Sequence, residues 1–307
     1  MQLQPTSVKQ AVAHSVKQGA SNRVPLNHSL WWYAYYRFMR NRAAVISVWV
    51  LLLLISFVLF MPWLSPFTYD AMDWESMRLL PSWGSGHYFG TDALGRDLLV
   101  RTAMGGRISL MVGVLSTLIA LFIGTLYGAI SGYVGGWLDV VMMRCLEILD
   151  ALPFIFFVIL LVTCLGRNIL LIFVAIGTVS WLNIARIVRG QTLSLKQKEF
   201  ILAARLCGRS SGQIIVHHIV PNVLGLVVVY ASLLVPSMIL FESFLSFLGL
   251  GVQEPMTSWG ALVQSGARAM EINPWALIGP GSLLVLTLFC FNFIGDGLRD
   301  ALDPQNQ

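Results

Sequence analysis

Charge is what this sequence has least of: 11% of its 307 residues are Asp, Glu, Lys or Arg, where an ordinary globular domain carries about 25%. So few charges cannot keep a surface of this size wetted, which excludes a soluble enzyme or binding module. Cysteine and histidine are also scarce, at 4 and 5. Cys145, Cys164, Cys207 and Cys290 fall in separate segments, with neither metal-ligand spacing nor the pattern of a disulfide framework. The chain has no Gly-x-x-x-x-Gly-Lys phosphate loop and no His-Glu-x-x-His pair. No catalytic residue, no metal ligand and no cofactor of its own is therefore assigned.

What is abundant is apolar. Hydrophobic residues make up 56% of the chain, and the mean hydropathy is +0.73. Uncharged runs cover Ala43–Leu64, Ile108–Leu138, Ala151–Gly166, Asn168–Ala185, Ile219–Phe241 and Ile272–Gly295. A helix needs roughly 20 such residues to cross about 30 Å of hydrocarbon. Backbone in lipid must satisfy its own hydrogen bonds, so these runs read as helices. The expected fold is all-α and polytopic, with six transmembrane helices. The third and fourth runs are short. The third is expected to begin near Val140, carrying Arg144, Glu147 and Asp150 in its first turns, and the fourth to continue past Arg186 towards Arg189.

The 20 Lys and Arg residues set the orientation. With the N-terminus inside, the larger share, including Arg37, Arg40, Arg42, Lys196, Lys198, Arg205 and Arg209, falls on the cytoplasmic side, so both termini are assigned there. Residues 1–30 lack the apolar core of a cleavable signal peptide, and the first span is expected to act as its own insertion signal. Just before it, WWYAYYRFMRNR mixes aromatics with three arginines, the composition of an interfacial anchor.

Outside the membrane, residues 65–105 contain HYFGTDALGRD, where Thr91 or Asp92 could cap a short helix from Ala93 and leave Arg96 and Arg101 on the surface. An ordinary capped turn is one reading; a contact surface at an outer mouth, made by Asp92, Arg96 and Asp97, is the other. Residues 250–274 form a tightly turned, aromatic-bearing loop.

The cytoplasmic segment 190–221 has the most internal logic. Ser194 with Gln197, and Ser210 with Gln213, have capping-box spacing, so two short helices are expected, separated at Gly208. On the first, Phe200, Ala203, Ala204 and Cys207 recur at helical spacing; on the second, Ile214, Ile215, His218 and Ile219 form the apolar stripe, and Pro221 marks the entry to the fifth span. By spacing alone, this is either a docking surface or a hairpin lying on lipid headgroups.

Ala203-Ala204, Gly208 and Pro221 resemble the EAA signature of importer-type permease subunits of ABC transporters. Leu202 stands where that signature has its Glu, with Glu199 one turn earlier. RFMRNRAAV, HYFGTDALGRDLLVR, GGRISLMVG, ARIVRGQTLSLKQKEF and FLSFLGLGVQEP extend the similarity, which covers about Arg37 to Pro304 and points to the peptide/nickel branch of these permeases. The resemblance implies a type I importer fold: a tail over 1–42, a first helix over 43–64, a periplasmic segment over 65–105, a permease core over 106–296 and a cytoplasmic tail over 297–307. It also implies partners: a second, homologous permease, two cytoplasmic ATPases that use ATP and Mg, and a periplasmic peptide-binding protein, all at a bacterial inner membrane and without nucleic acid. Glu199, Ala203, Ala204, Gly208, His218 and Pro221 would dock the ATPase. Oligopeptides are the implied cargo, with dipeptides, murein peptides or nickel as alternatives.

Ionisable residues at membrane depth are functional candidates. Glu242, Asp150 and Arg186 are assigned to a pathway or a permease interface, with pairing inside one subunit as the plainer reading. The rival from another class is an ion-coupled secondary transporter, for which an internal repeat would be expected; none is evident.

Overall fold

The computed structural model describes residues 30–165 and 169–302. Lys9, Lys17 and Arg23 of the N-terminal tail, Arg167 and residues 303–307 lie outside that range. Among the described residues every named element is helical, and the one β feature is a bridge between Thr91 and Asp97. A short amphipathic helix, α1 (Leu30–Arg40), ends in Arg37 and Arg40 and is followed by α2 (Arg42–Leu64), whose first turn is capped by Asn41. Four helical runs among the described residues are long and apolar enough to cross a membrane: α2, α3 (Leu98–Val134), the run from Ser211 to Phe247, and α11 (Trp275–Leu302).

Two boundaries differ from the sequence reading. α3 begins ten residues before Ile108, because Asp97 caps it by accepting from the Val100 N–H at 2.8 Å. It stops at Gly135, since Gly135 and Gly136 both take positive φ and turn the chain out of helix. The expected third helix running on from Val140 is interrupted: α4 (Gly136–Asp150) and α5 (Phe154–Leu165) are separated at Ala151–Pro153, where Pro153 lacks the N–H a continuous helix requires. The fourth element, α6 (Ile169–Leu195), does continue past Arg186 and Arg189. At 37 residues, and about 1.5 Å per residue, α3 is about 55 Å long.

α3 lies against α6 along a ladder of small residues. Ser116, Ala120, Gly124, Gly128 and Gly132 recur every fourth position and are all buried. A Cβ at Gly128 would stand 2.4 Å from the Ala185 carbonyl oxygen; at Gly124 and Gly132 the Trp181 and Arg189 carbonyls would be 2.8 Å away. Close backbone approach of this kind is how helices gain contact where lipid supplies no hydrophobic drive. Trp259, fully buried, seals the other flank of α3, its indole N–H donating to the Thr102 carbonyl at 2.9 Å. Large apolar side chains such as Leu53, Phe122 and Phe156 point outward, as in a protein whose solvent is hydrocarbon.

Candidate functional site

The segment after α6 folds into a hairpin. Helix α7 (Glu199–Leu206) is entered from an extended Lys198 with no side-chain cap. The expected Ser194–Gln197 box is not made, because α6 runs on to Leu195 and takes Ser194 into its last turn. The second box is present: the Ser210 N–H donates to Gln213 Oε1 at 3.1 Å and the Gln213 N–H to Ser210 Oγ at 3.4 Å, opening α8 (Ser211–Ile214). Between the helices Gly208 has φ +77°, and the bonds from Gly208 to the Arg205 carbonyl and from Arg209 to that of Ala204 form a Schellman closure, which needs the left-handed residue. A π turn over Ile215–Ile219 then leads into α9 (Val220–Phe247), with Pro221 in its first turn.

Burial corrects the expected faces. Ile201 and Ala204 point inward and join Ile214, Ile215 and Ile219 in one cluster with Ala129 and Tyr133 of α3 and Ile184 and Val188 of α6. Phe200, Ala203 and Cys207 are exposed, so the four-residue stripe is split: the bulkier Ile201 takes the inner position and turns its neighbours out. The hairpin therefore presents Phe200, Leu202, Leu206 at 90% exposure and Val216 to its surroundings. Glu199 is exposed at the first turn of α7. His218, half-buried, lies 3.1 Å from Arg209 and tilts against the Phe200 ring.

Polar contacts fasten this hairpin to the end of α3. Arg205 Nε donates to the Tyr133 hydroxyl at 3.0 Å, with its guanidinium 4.9 Å from the Tyr133 ring centroid, and Lys196 lies 5.7 Å from the same ring. Beside them Arg189 holds Asp139 with two bonds of 2.5 and 2.6 Å, and Ser131 donates to the same carboxylate. Nothing in the spacing of the sequence singles out Tyr133.

At the opposite end of α3, Asp92, Arg96 and Asp97 do come together, but in a built structure rather than a surface turn. Arg96 and Arg101 are 7% and 4% exposed. Arg96 donates to Asp92 at 2.7 Å and to Glu254 at 3.0 Å, and Arg101 adds ion pairs to the same two acids at 3.7 and 3.6 Å. Burial opposes the Arg96 charge, but the bonds to Glu254 and Asp92 outweigh it and hold its pKa above the ordinary guanidinium value. Asp97, besides capping α3, pairs with His87 at 2.8 Å, on which Phe67 stacks. No helix begins at Ala93: Asp92 instead accepts from the Leu94 and Arg96 N–H groups, around a Gly95 with φ +74°. Asp92, Arg96, Arg101 and Glu254 line a cleft of about 500 Å³ that also includes Arg78 and Arg268. The sequence reading missed Glu254, which is 158 positions from Arg96.

Of the three ionisable residues assigned to membrane depth, Asp150 and Arg186 come together and Glu242 stands apart. Glu242 is 0% exposed within this single chain, held inside it by hydroxyl groups. It accepts from Ser109 at 3.0 Å and Ser246 at 2.6 Å; Ser246 is 3.2 Å from Ser258, and the Trp259 N–H donates to Ser109. This knot joins α3, α9 and α10 (Trp259–Arg268). Asp150 pairs with Arg186 at 2.7 Å, both half exposed, while Arg144 pairs with Glu147 on the surface of α4.

Residues 124–306 match the family described as binding-protein-dependent transport system inner membrane component. Residues 29–81 match the N-terminal TM domain of oligopeptide transport permease C. The chain is 64% identical over 279 residues to the oligopeptide transport system permease protein OppC of Haemophilus influenzae, covering 91% of this chain and 90% of that one. Its Escherichia coli counterpart is 68% identical over 279 residues, covering 91% and 92%. The dipeptide transport system permease protein DppC of Bacillus subtilis is 42% identical over 273 residues, covering 89% and 85%.

Proposed function

The chain belongs to the binding-protein-dependent transport system inner membrane components, and from that premise we propose that it is the membrane-spanning permease subunit of an ATP-driven ABC importer for oligopeptides. The observation that carries the cargo is the identity of 64 and 68%, over about nine-tenths of the chain, to two oligopeptide permeases. The chain supplies one half of a pathway, and a second, related permease supplies the other. The interrupted pair α4 and α5 makes the third of six crossings, with both termini on the cytoplasmic face.

The hairpin over 190–221 docks a cytoplasmic ATPase. What supports this is a hairpin, closed by a capping box and a Schellman turn, that leaves Leu202 and Leu206, one turn apart on α7, uncovered, with Phe200 exposed at its start. Outside the hydrocarbon, large apolar side chains left exposed in this way mark a contact with a partner. Glu199, Ala203, Gly208, His218 and Pro221 frame that surface, while Ala204 supports it from beneath. ATP and Mg bind to two partner ATPases, whose closure moves the hairpin and rocks the permeases between inward and outward access. The cleft of Asp92, Arg96 and Glu254 lies at the outer mouth, where a peptide-binding protein delivers cargo. Purification from native membranes tests this reading: an ATPase, a second permease and a peptide-loaded binding protein should travel with the chain, and a complex holding none of them would overturn it.

A further inference from the structure

The hairpin rests on α3 and α6 mainly through aliphatic contacts, which hold two surfaces together but let them slide, because apolar contact is non-directional. One contact with fixed geometry joins α7 to α3: Arg205 donates to the Tyr133 hydroxyl at 3.0 Å while its guanidinium lies against the Tyr133 ring. Tyr133 is 5% exposed and occupies the penultimate position of α3. Lys196, from the turn joining α6 to α7, approaches the same ring, so the ring receives two cations, one from each side of the hairpin's entry. The helix that Tyr133 ends is the one whose first turn carries Arg101 of the opposite cluster. Between them α3 is unbroken and packed against α6 along the glycine ladder.

We propose that Tyr133 is the positioning residue through which the hairpin steers α3, with Arg205 as its partner, so that a shift of the docked hairpin becomes a tilt of α3 rather than a slip across it. The proposal rests on the docking reading above, but it concerns the step after docking. Tyr133 faces inward, beneath α7, and takes no part in the exposed surface of Phe200, Leu202 and Leu206.

The test uses the complete transporter, with both permeases, the ATPases and the binding protein, in proteoliposomes. Tyr133→Phe removes only the hydroxyl and keeps the ring, and Arg205→Met removes the donor from the other side. Losing a charge-assisted bond at a partly buried site corresponds to roughly tenfold in an equilibrium constant. We expect each variant to retain its ATPases at the wild-type ratio while peptide moved per ATP hydrolysed falls about tenfold, and the double variant to be no worse than either single one. Wild-type transport per ATP in Tyr133→Phe would overturn the proposal. So would loss of the ATPases in that variant, which would make Tyr133 part of the docking surface or the fold. Leu206→Arg is the separate control for docking: it should lose the ATPases outright. Retention of the ATPases in that control would overturn the docking reading, and the steering role with it.

Discussion

Gly128→Ala adds one methyl group to the most tightly closed point between α3 and α6. The new Cβ would lie 2.4 Å from the Ala185 carbonyl oxygen and 2.9 Å from both the Arg189 nitrogen and Val188 Cβ, where ordinary contact begins at 3.4 Å. Two of the three obstacles are backbone atoms of a helix, so no rotamer change relieves the clash. The helices must part by roughly 1 Å, a gap that forfeits a quarter to a half of each dispersion contact along the seam. Overpacking of this kind costs about 1 to 3 kcal/mol. Gly190→Ala is the paired control: it lies on α6 with nothing within 4 Å of its Cβ position, and by helix propensity alone it should gain roughly 0.5 to 1 kcal/mol. The assay is SDS-driven unfolding in mixed micelles, followed by tryptophan fluorescence. Trp181, 7% exposed and 4.8 Å edge-on to Tyr127, reports from this interface. Gly128→Ala as stable as wild type, or Gly190→Ala equally damaging, would refute the close-packing argument.

Glu242→Ala should destabilise by about 1 to 3 kcal/mol for each serine hydroxyl left without its acceptor, whereas Glu242→Gln, which keeps an acceptor, should lose less in the same titration. Gly208→Val should strain the left-handed turn and reduce ATPase retention, and Gly208→Asn, which tolerates φ near +77°, should largely keep it, as measured by co-purification. Asp92→Asn should leave Arg96 and Arg101 with a single acidic partner and cost up to about 3 kcal/mol, again read by SDS unfolding. An impermeant thiol reagent applied to the outer face of sealed membranes should miss Cys207, which lies in the exposed hairpin; labelling from that side would invert the orientation.

The apolar runs made the helical fold legible, because hydrocarbon leaves the backbone no alternative, and the Ser210–Gln213 spacing made half of the hairpin legible, because a capping box is a local device. Neither the ends of α3 nor the break in the third run followed from hydropathy. Both depend on single residues: Asp97, ahead of the uncharged run, and Gly135 and Pro153 next to or inside uncharged ones. Burial of Ala204 on the inner face of α7, and of Arg96 against Glu254, depends on partners distant in sequence. The Ser116–Gly132 ladder was readable in principle from its four-residue spacing, a signal hidden by counting these residues only as uncharged. Tyr133 and Glu254 carry no local signature, since each acquires its contacts only when separate segments meet.

The central claim is tested most directly by uptake of a labelled oligopeptide into proteoliposomes that contain this chain, the second permease, the ATPases and the peptide-loaded binding protein. Uptake should require ATP, persist in the presence of an ionophore and be absent when this chain is reconstituted alone. Peptide uptake by the single chain, or uptake that needs no ATP and collapses with the ionophore, would contradict an ABC importer subunit and favour an ion-coupled transporter.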